Sequence, residues 1–222
     1  MESVTGELRL YAIGIDEMRG IIGADPAYVD GLRTAARQAF EPQQPPVRTG
    51  LIGKLGPIFR RPPAAPVISP TQPEPRDVEA LLAGAYIAHD RMGATWRVLE
   101  SLVHSRAWGS TRMALTTQAL DDMDFALARG GVSASVGLRH LLDHSTDVNL
   151  LPVEGLTVGW HRHDQALAMA GAYRISMPQI ESREQQKMVS GLVTWLDGFL
   201  PWAQVAVNLG RPTPDLVGFW AG

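Results

Sequence analysis

Between Arg183 and Leu209 the chain is apolar almost throughout, and its few polar residues fall on a single helical stripe. Arg183, Lys187, Ser190, Thr194, Asp197, Gln204 and Asn208 recur at steps of three, four or seven, the spacing of one face of an α-helix. Met188, Val189, Leu192, Val193, Trp195, Leu196, Phe199, Leu200, Trp202, Val205 and Val207 fill the remaining positions. A helix wet on one narrow stripe needs neighbours on two or more sides, so the pattern predicts a long central C-terminal helix with the rest of the chain wrapped about it. At ~1.5 Å per residue the stretch would span roughly 40 Å. Pro201 lies on the stripe and removes the backbone bond to Asp197, which predicts a kink or break there. Gly191 and Gly198 share a side with Trp195 and Trp202 and are expected to admit another backbone. A membrane span over Met188–Val207 is disfavoured by Asp197 near the centre, which would cost about 2.5 to 3.5 kcal/mol in a bilayer, and by Pro201, Gln204 and Thr194.

The 222 residues include no cysteine, so disulfide frameworks, thiol nucleophiles and thiolate metal sites are excluded. With 45% hydrophobic and 19% charged residues, the chain reads as globular and soluble. The start, Met1 to Leu10, has neither a basic nor an apolar leader region, so a cytoplasmic protein is expected. All basic residues but Lys54 and Lys187 are arginine, a bias that suggests a GC-rich bacterial genome. Residues 42–76 carry Arg48, Lys54, Arg60, Arg61 and Arg76 against Glu74 alone, whereas the whole chain has a formal net charge of −3. The body is therefore mildly acidic, which argues against nucleic-acid binding.

Taken in order, Leu8–Ile13 alternates and reads as a first strand. Asp16 is expected to cap a short helix through Ile22. Asp25-Pro26 starts a helix that ends near Phe40, with Tyr28, Leu32, Ala35, Ala36 and Ala39 on its buried side. From Glu41 to Arg76 prolines crowd the sequence, so an extended insertion is expected at about 42–76. Leu51, Ile52, Leu55, Ile58 and Phe59 form an apolar patch within it, suited either to lying on the body or to docking a partner. Asp77 opens a helical region to about His144. In it Val78, Leu81, Leu82, Ala85 and Tyr86 mark one helix, and Thr95 caps a second with Trp96, Leu99, Leu102 and Val103. Thr117 starts a third, stopped by Gly130-Gly131, and Ser135 a short fourth through Leu142. Leu156–Trp160 reads as a strand, Asp164–Tyr173 as a helix and Leu216–Trp220 as a closing strand. The expectation is one α+β domain over residues 1–222, predominantly helical, with a small sheet of about three short strands.

Two histidines four apart, His140 and His144, would face the same way on a helix, as a metal pair requires, and His161 or His163 could complete the set. Against this, the helix is short, and a histidine at a helix C-terminus is stabilised by the macrodipole without any metal. His89-Asp90 and His104 have no serine in a nucleophile elbow beside them. Asp121, Asp122 and Asp124 lack the spacing of a calcium loop, and no phosphate-binding glycine motif is present. The six tryptophans are mostly core by spacing, but Trp108 and Trp160 sit at element ends and could line a surface groove.

The segments Leu10-Tyr11-Ala-Ile-Gly-Ile-Asp16-Glu-Met18-Arg-Gly-Ile21-Ile22-Gly23, Leu151-Pro152-Val-Glu-Gly-Leu156-Thr-Val-Gly159-Trp160 and Asp215-Leu-Val-Gly-Phe219-Trp220 resemble uncharacterised bacterial domains of the YfbM-like kind. The resemblance implies an α+β fold with an N-terminal strand and helix, a helical middle and a late helix before a final strand. It implies no activity and no catalytic residue. The proline-rich insertion and Arg211-Pro-Thr-Pro214 depart from it.

With no coherent catalytic set and no cofactor motif, the leading expectation is a non-enzymatic protein-interaction module, for instance an immunity or toxin-neutralising factor. Trp108, Trp160, Phe59, Arg60 and Arg61 are its candidate partner-binding residues. The alternatives are a metal-dependent hydrolase using His140, His144 and His161 or His163, and a small-molecule binding domain with a pocket between the sheet and the helix from Arg183.

Overall fold

A computed structural model describes residues 5–40 and 71–222. Four antiparallel strands, β1 (Thr5–Ile13), β2 (Gly109–Thr116), β3 (Leu156–His161) and β4 (Asp215–Ala221), form one sheet in the order β2-β1-β4-β3. The sheet has one more strand than expected. β2 follows the helix that ends at Arg106 without a proline, and its Ser-Thr-Arg-Met-Ala-Leu run has weak alternation, so the sequence hides it inside a helical region.

The helices lie in two layers. On one face of the sheet Tyr11, Ile13, Val217 and Phe219 pack with α1 (Ile15–Arg19), α2 (Pro26–Phe40), α3 (Pro75–Leu82) and α4 (Met92–Arg106). On the other, Leu8, Leu10, Leu115, Leu216 and Trp220 pack with α5 (Thr117–Arg129), α6 (Leu138–Asp143), α7 (His163–Ser176) and α8 (Arg183–Leu196). β4 lies in the middle and is buried from Leu216 to Trp220, as a strand covered on both faces must be. The chain is α+β and predominantly helical, and no described helix is long and apolar enough to cross a membrane.

The long C-terminal helix is two helices. α8 ends at Leu196, and α9 runs Phe199–Asn208. The turn falls at Asp197-Gly198, and Pro201 takes the third position of α9, where a backbone N–H has no partner within the helix anyway. α8 is buried as expected along Val189, Leu192 (2% exposed), Val193 (7%) and Leu196, each worth roughly 2 kcal/mol of apolar transfer before entropy is counted. α9 is buried only at Phe199 and Ala206. Leu200 (65%), Val205 (45%), Val207 (68%) and, just past its end, Leu209 (65%) face outward, so an apolar stripe alone overstated its burial. Gly198 admits an indole and not a backbone: a Cβ there would stand 2.4 Å from the Trp202 ring, as would one at Gly109. Gly191 faces open space.

Several starts shift by local chemistry. Asp25 Oδ1 accepts the Ala27 N–H at 2.9 Å, the expected cap of α2, but Gly14 rather than Asp16 precedes α1. Of the side predicted to be buried in α2, Leu32 and Ala36 are; Ala39 is exposed. Thr95 is no cap. It is buried inside α4, its hydroxyl donating to the Arg91 carbonyl at 3.0 Å. Ala85 is exposed and Tyr86 is 90% exposed beyond the end of α3. Thr116 caps α5 by accepting from Ala119 N–H at 3.0 Å. Ser135 lies in a single 3₁₀ turn, and α6 begins at Leu138. There the Asp124 carboxylate accepts the Leu138 and Arg139 N–H groups at 2.9 and 2.8 Å, which gives Asp124 a capping role. Most of the proline-rich segment, with Phe59, Arg60, Arg61 and the apolar patch, lies outside the described residues.

The two edges of the sheet differ. At β3 the edge is covered: Ser145 bridges Gly159, and the Trp160 N–H donates to the His144 carbonyl at 3.2 Å. α6 presses so closely there that a Cβ at Gly159 would lie 1.9 Å from the Leu141 carbonyl oxygen. At β2 the strand pairs with β1 and, among the described residues, with no other.

Candidate functional site

α5 and α8 cover one face of β2, through Met113 and Leu115. The opposite face, with Ser110, Arg112 and Ala114, is exposed, because the layer containing α4 stops over β1. The result is a polar groove of about 490 Å³ between β1, β2 and α4, lined by Arg9, Tyr11, Arg97, Glu100, His104 and Arg112 among others. The pattern behind it is simple. Arg97, Glu100 and His104 follow helical spacing along the outer stripe of α4, while Glu7, Arg9 and Tyr11 alternate along β1.

Glu100 forms the floor. Its Oε1 accepts the Tyr11 hydroxyl at 2.9 Å, and Arg9 Nε lies 2.9 Å from the same oxygen as an ion pair, although that N–H is not aimed along a hydrogen-bond line. Burial pushes the Glu100 carboxyl above its ordinary range, with Arg9 and the Tyr11 hydroxyl opposing. Burial, followed by the negative charge of Glu100, also raises the Tyr11 phenol. Arg112 stands directly across from Arg9 in the ladder. Among the described residues neither Arg112 nor Arg97 has a carboxylate partner. A partly desolvated acid in a cleft ringed by unpaired guanidinium groups is the arrangement expected of a binding or catalytic site rather than of a core. Of these groove residues the sequence singles out only His104 and, within the family-like opening segment, Tyr11; the available signal is the polar stripe on α4.

The histidines converge only in part. His140 and His161 have ring centroids 5.5 Å apart, and His144 and His161 6.4 Å. His144 is not on the helix: it follows α6 in an extended conformation and stacks on Trp160 at 5.2 Å. His163 turns away, its Nδ1 3.0 Å from the Pro214 carbonyl. Among the described residues no three His, Asp or Glu side chains are placed to hold one ion. His161 is fully buried, and neither ring nitrogen meets hydrogen-bond geometry. Burial lowers its pKa to about 4, helped by His140 and His144 and opposed by the backbone of Gly137 and Trp160.

The two tryptophans are already engaged. The Arg211 guanidinium lies 4.2 Å above the Trp108 ring, and the Trp160 Nε1–H donates to the Ser145 carbonyl at 2.8 Å. Arg211 and Arg106 both bind the nearly buried Glu17 carboxylate, at 2.9 and 2.6 Å. That cluster ties α1 to the end of α4 and to the segment before β4.

Fold and groove together define an α+β domain whose four-stranded antiparallel sheet is sandwiched by helices, with one edge strand, β2, paired on a single side among the described residues. The chain belongs to the family described as Domain of unknown function (DUF7691), whose model matches residues 6–221. No curated protein and no solved structure matches it.

Proposed function

We propose that this protein is a non-enzymatic protein-interaction module whose docking surface is the β2 edge with its flanking groove. The observation that carries the reading is the contrast between the two edges. Folded proteins cover or blunt a free strand edge because its unpaired amides and carbonyls recruit other chains. Here β3 is covered by Ser145, whereas β2, among the described residues, pairs on one side only and offers an edge of eight residues interrupted by one charge, Arg112. The adjoining helix α9 supports the reading: its outward apolar residues lie on the element whose Trp202 seats on Gly109 at the start of β2. An immunity or toxin-neutralising factor is the specific form proposed, since such a factor acts by covering a partner's surface. The kinship with YfbM-like domains read from the chain ends belongs to the same proposal. A second reading, a small-ligand binding domain, is favoured by Glu100 and Tyr11 on the groove floor, on the side of the sheet opposite α8.

The test is a photoreactive phenylalanine derivative placed at Ala114 or, as a control, at exposed Glu184 on α8, in cells of the native host. A protein adduct formed from 114 and not from 184 supports the edge as the docking surface. Equal adducts from both positions, or none from either, refute it.

A further inference from the structure

We propose that the segment recognised at this edge is an extended acidic stretch of another protein, which adds to β2 as a fifth strand with its carboxylates facing Arg112 and Arg97. This rests on the interaction reading above and specifies the partner's chemistry. A strand laid along β2 directs every second side chain to the groove side of the sheet, with its Cβ about 4.5 to 5.5 Å from that of the β2 residue opposite. On that side β2 presents Ser110, Arg112 and Ala114.

The charges there are unbalanced. Arg9 and Arg112 sit directly opposite each other in the β1–β2 register, a like-charge pair that destabilises the ladder unless a counter-charge is nearby. Glu100 is committed to Arg9 and Tyr11, and Glu7 stands 3.8 Å from Arg9. Arg97 and Arg112 are left as the guanidinium groups that an incoming carboxylate would meet, with the bidentate geometry that suits them.

The same charges disfavour the other occupants. A second copy pairing antiparallel about the middle of β2 would bring Arg112 opposite or diagonal to its own counterpart, so the surface is not self-complementary. A basic segment would add to the excess. A neutral strand would gain the backbone bonds but leave both arginines unpaired. The architecture is thus suited to strand addition in which main-chain bonds give affinity and alternate side chains give selectivity.

The experiment uses the full chain, ¹⁵N-labelled, titrated with three heptapeptides that alternate valine with glutamate, glutamine or lysine. Amide exchange across residues 109–116 is the readout, together with affinity at low and high salt. The glutamate peptide is expected to protect alternate β2 amides and to bind about tenfold more tightly than the glutamine peptide, a difference of about 1.4 kcal/mol. Its affinity should fall with added salt, and Arg97→Gln with Arg112→Gln should abolish the preference. Both positions are exposed, so the double variant should keep the native melt. Equal binding of glutamate and glutamine peptides overturns the acidic selectivity and leaves the edge reading standing. Failure of every peptide to protect β2 overturns both. Saturation of the groove by inorganic phosphate, with no β2 protection by any peptide, overturns both in favour of a small-anion pocket. A concentration-dependent dimer that protects the same amides overturns the hetero-partner in favour of a second copy.

Discussion

His161 makes the stability of this fold depend on pH in a way that can be isolated. The side chain is fully buried without good hydrogen-bond geometry, under α6 and beside His140 and His144, so protonating it places a charge in a desolvated site next to two further imidazoles. Its pKa falls from 6.5 to about 4 on folding. The unfolded chain therefore binds a proton over a range where the folded chain does not. The sign follows: stability is intact above pH 6.5, declines as pH falls from 6.5 towards 4, and levels off below both values. At about 1.36 kcal/mol per unit the full loss is about 3 kcal/mol, of which about 2 kcal/mol falls between pH 7.5 and 5. For a chain of this size that is a drop in Tm of about 4 to 8 °C. The assay is urea unfolding followed by tryptophan fluorescence at both pH values, for wild type and His161→Leu, each compared with itself so that any packing change drops out. Glu100, Asp124 and Asp215, whose carboxyls burial raises, tilt the wild-type profile the other way but are common to both proteins. The variant should lose less between pH 7.5 and 5 by about 2 kcal/mol. Equal losses in the two proteins would show that His161 is not held neutral by burial.

Three other outcomes follow from the same structure. Gly159→Ala drives a Cβ into the Leu141 carbonyl, 1.9 Å away, so α6 must lift off β3; a loss of at least about 3 kcal/mol is expected in urea unfolding. Glu17→Ala strands two guanidinium groups around a carboxylate that is 6% exposed, and should cost about 3 kcal/mol, more than Arg211→Ala, which leaves Arg106 to satisfy Glu17. Glu100→Gln removes an acid whose pKa is raised on folding. Wild type carries that group's stabilisation below the ordinary carboxylate range and loses it as pH rises through the folded value, so the variant should lose less than wild type between pH 4.5 and 7.5, as read by the same urea titrations.

Short-range signals fixed a good part of this fold before any tertiary contact was considered. Asp25-Pro26 marked α2 because an N-cap carboxylate and a proline at N1 act within one turn. Alternation marked β1; the stretches Leu156–Trp160 and Leu216–Trp220 already read as strands, and the apolar positions from Val189 to Leu196 marked the buried side of α8. Pairing decided the rest. β2 has too little alternation to announce itself and exists as a strand because β1 lies beside it. The α8–α9 break and the exposure of Leu200 and Val207 depend on where the core ends, which periodicity does not encode. The groove needed three elements far apart in the chain, Arg9 and Tyr11 on β1, Glu100 on α4 and Arg112 on β2, brought together by strand order. Sequence set the local geometry of each piece through caps, turns and apolar spacing; which face of β2 stayed uncovered by the described helices, and which charges were left facing it, was settled by how far the helical layers extend over the sheet.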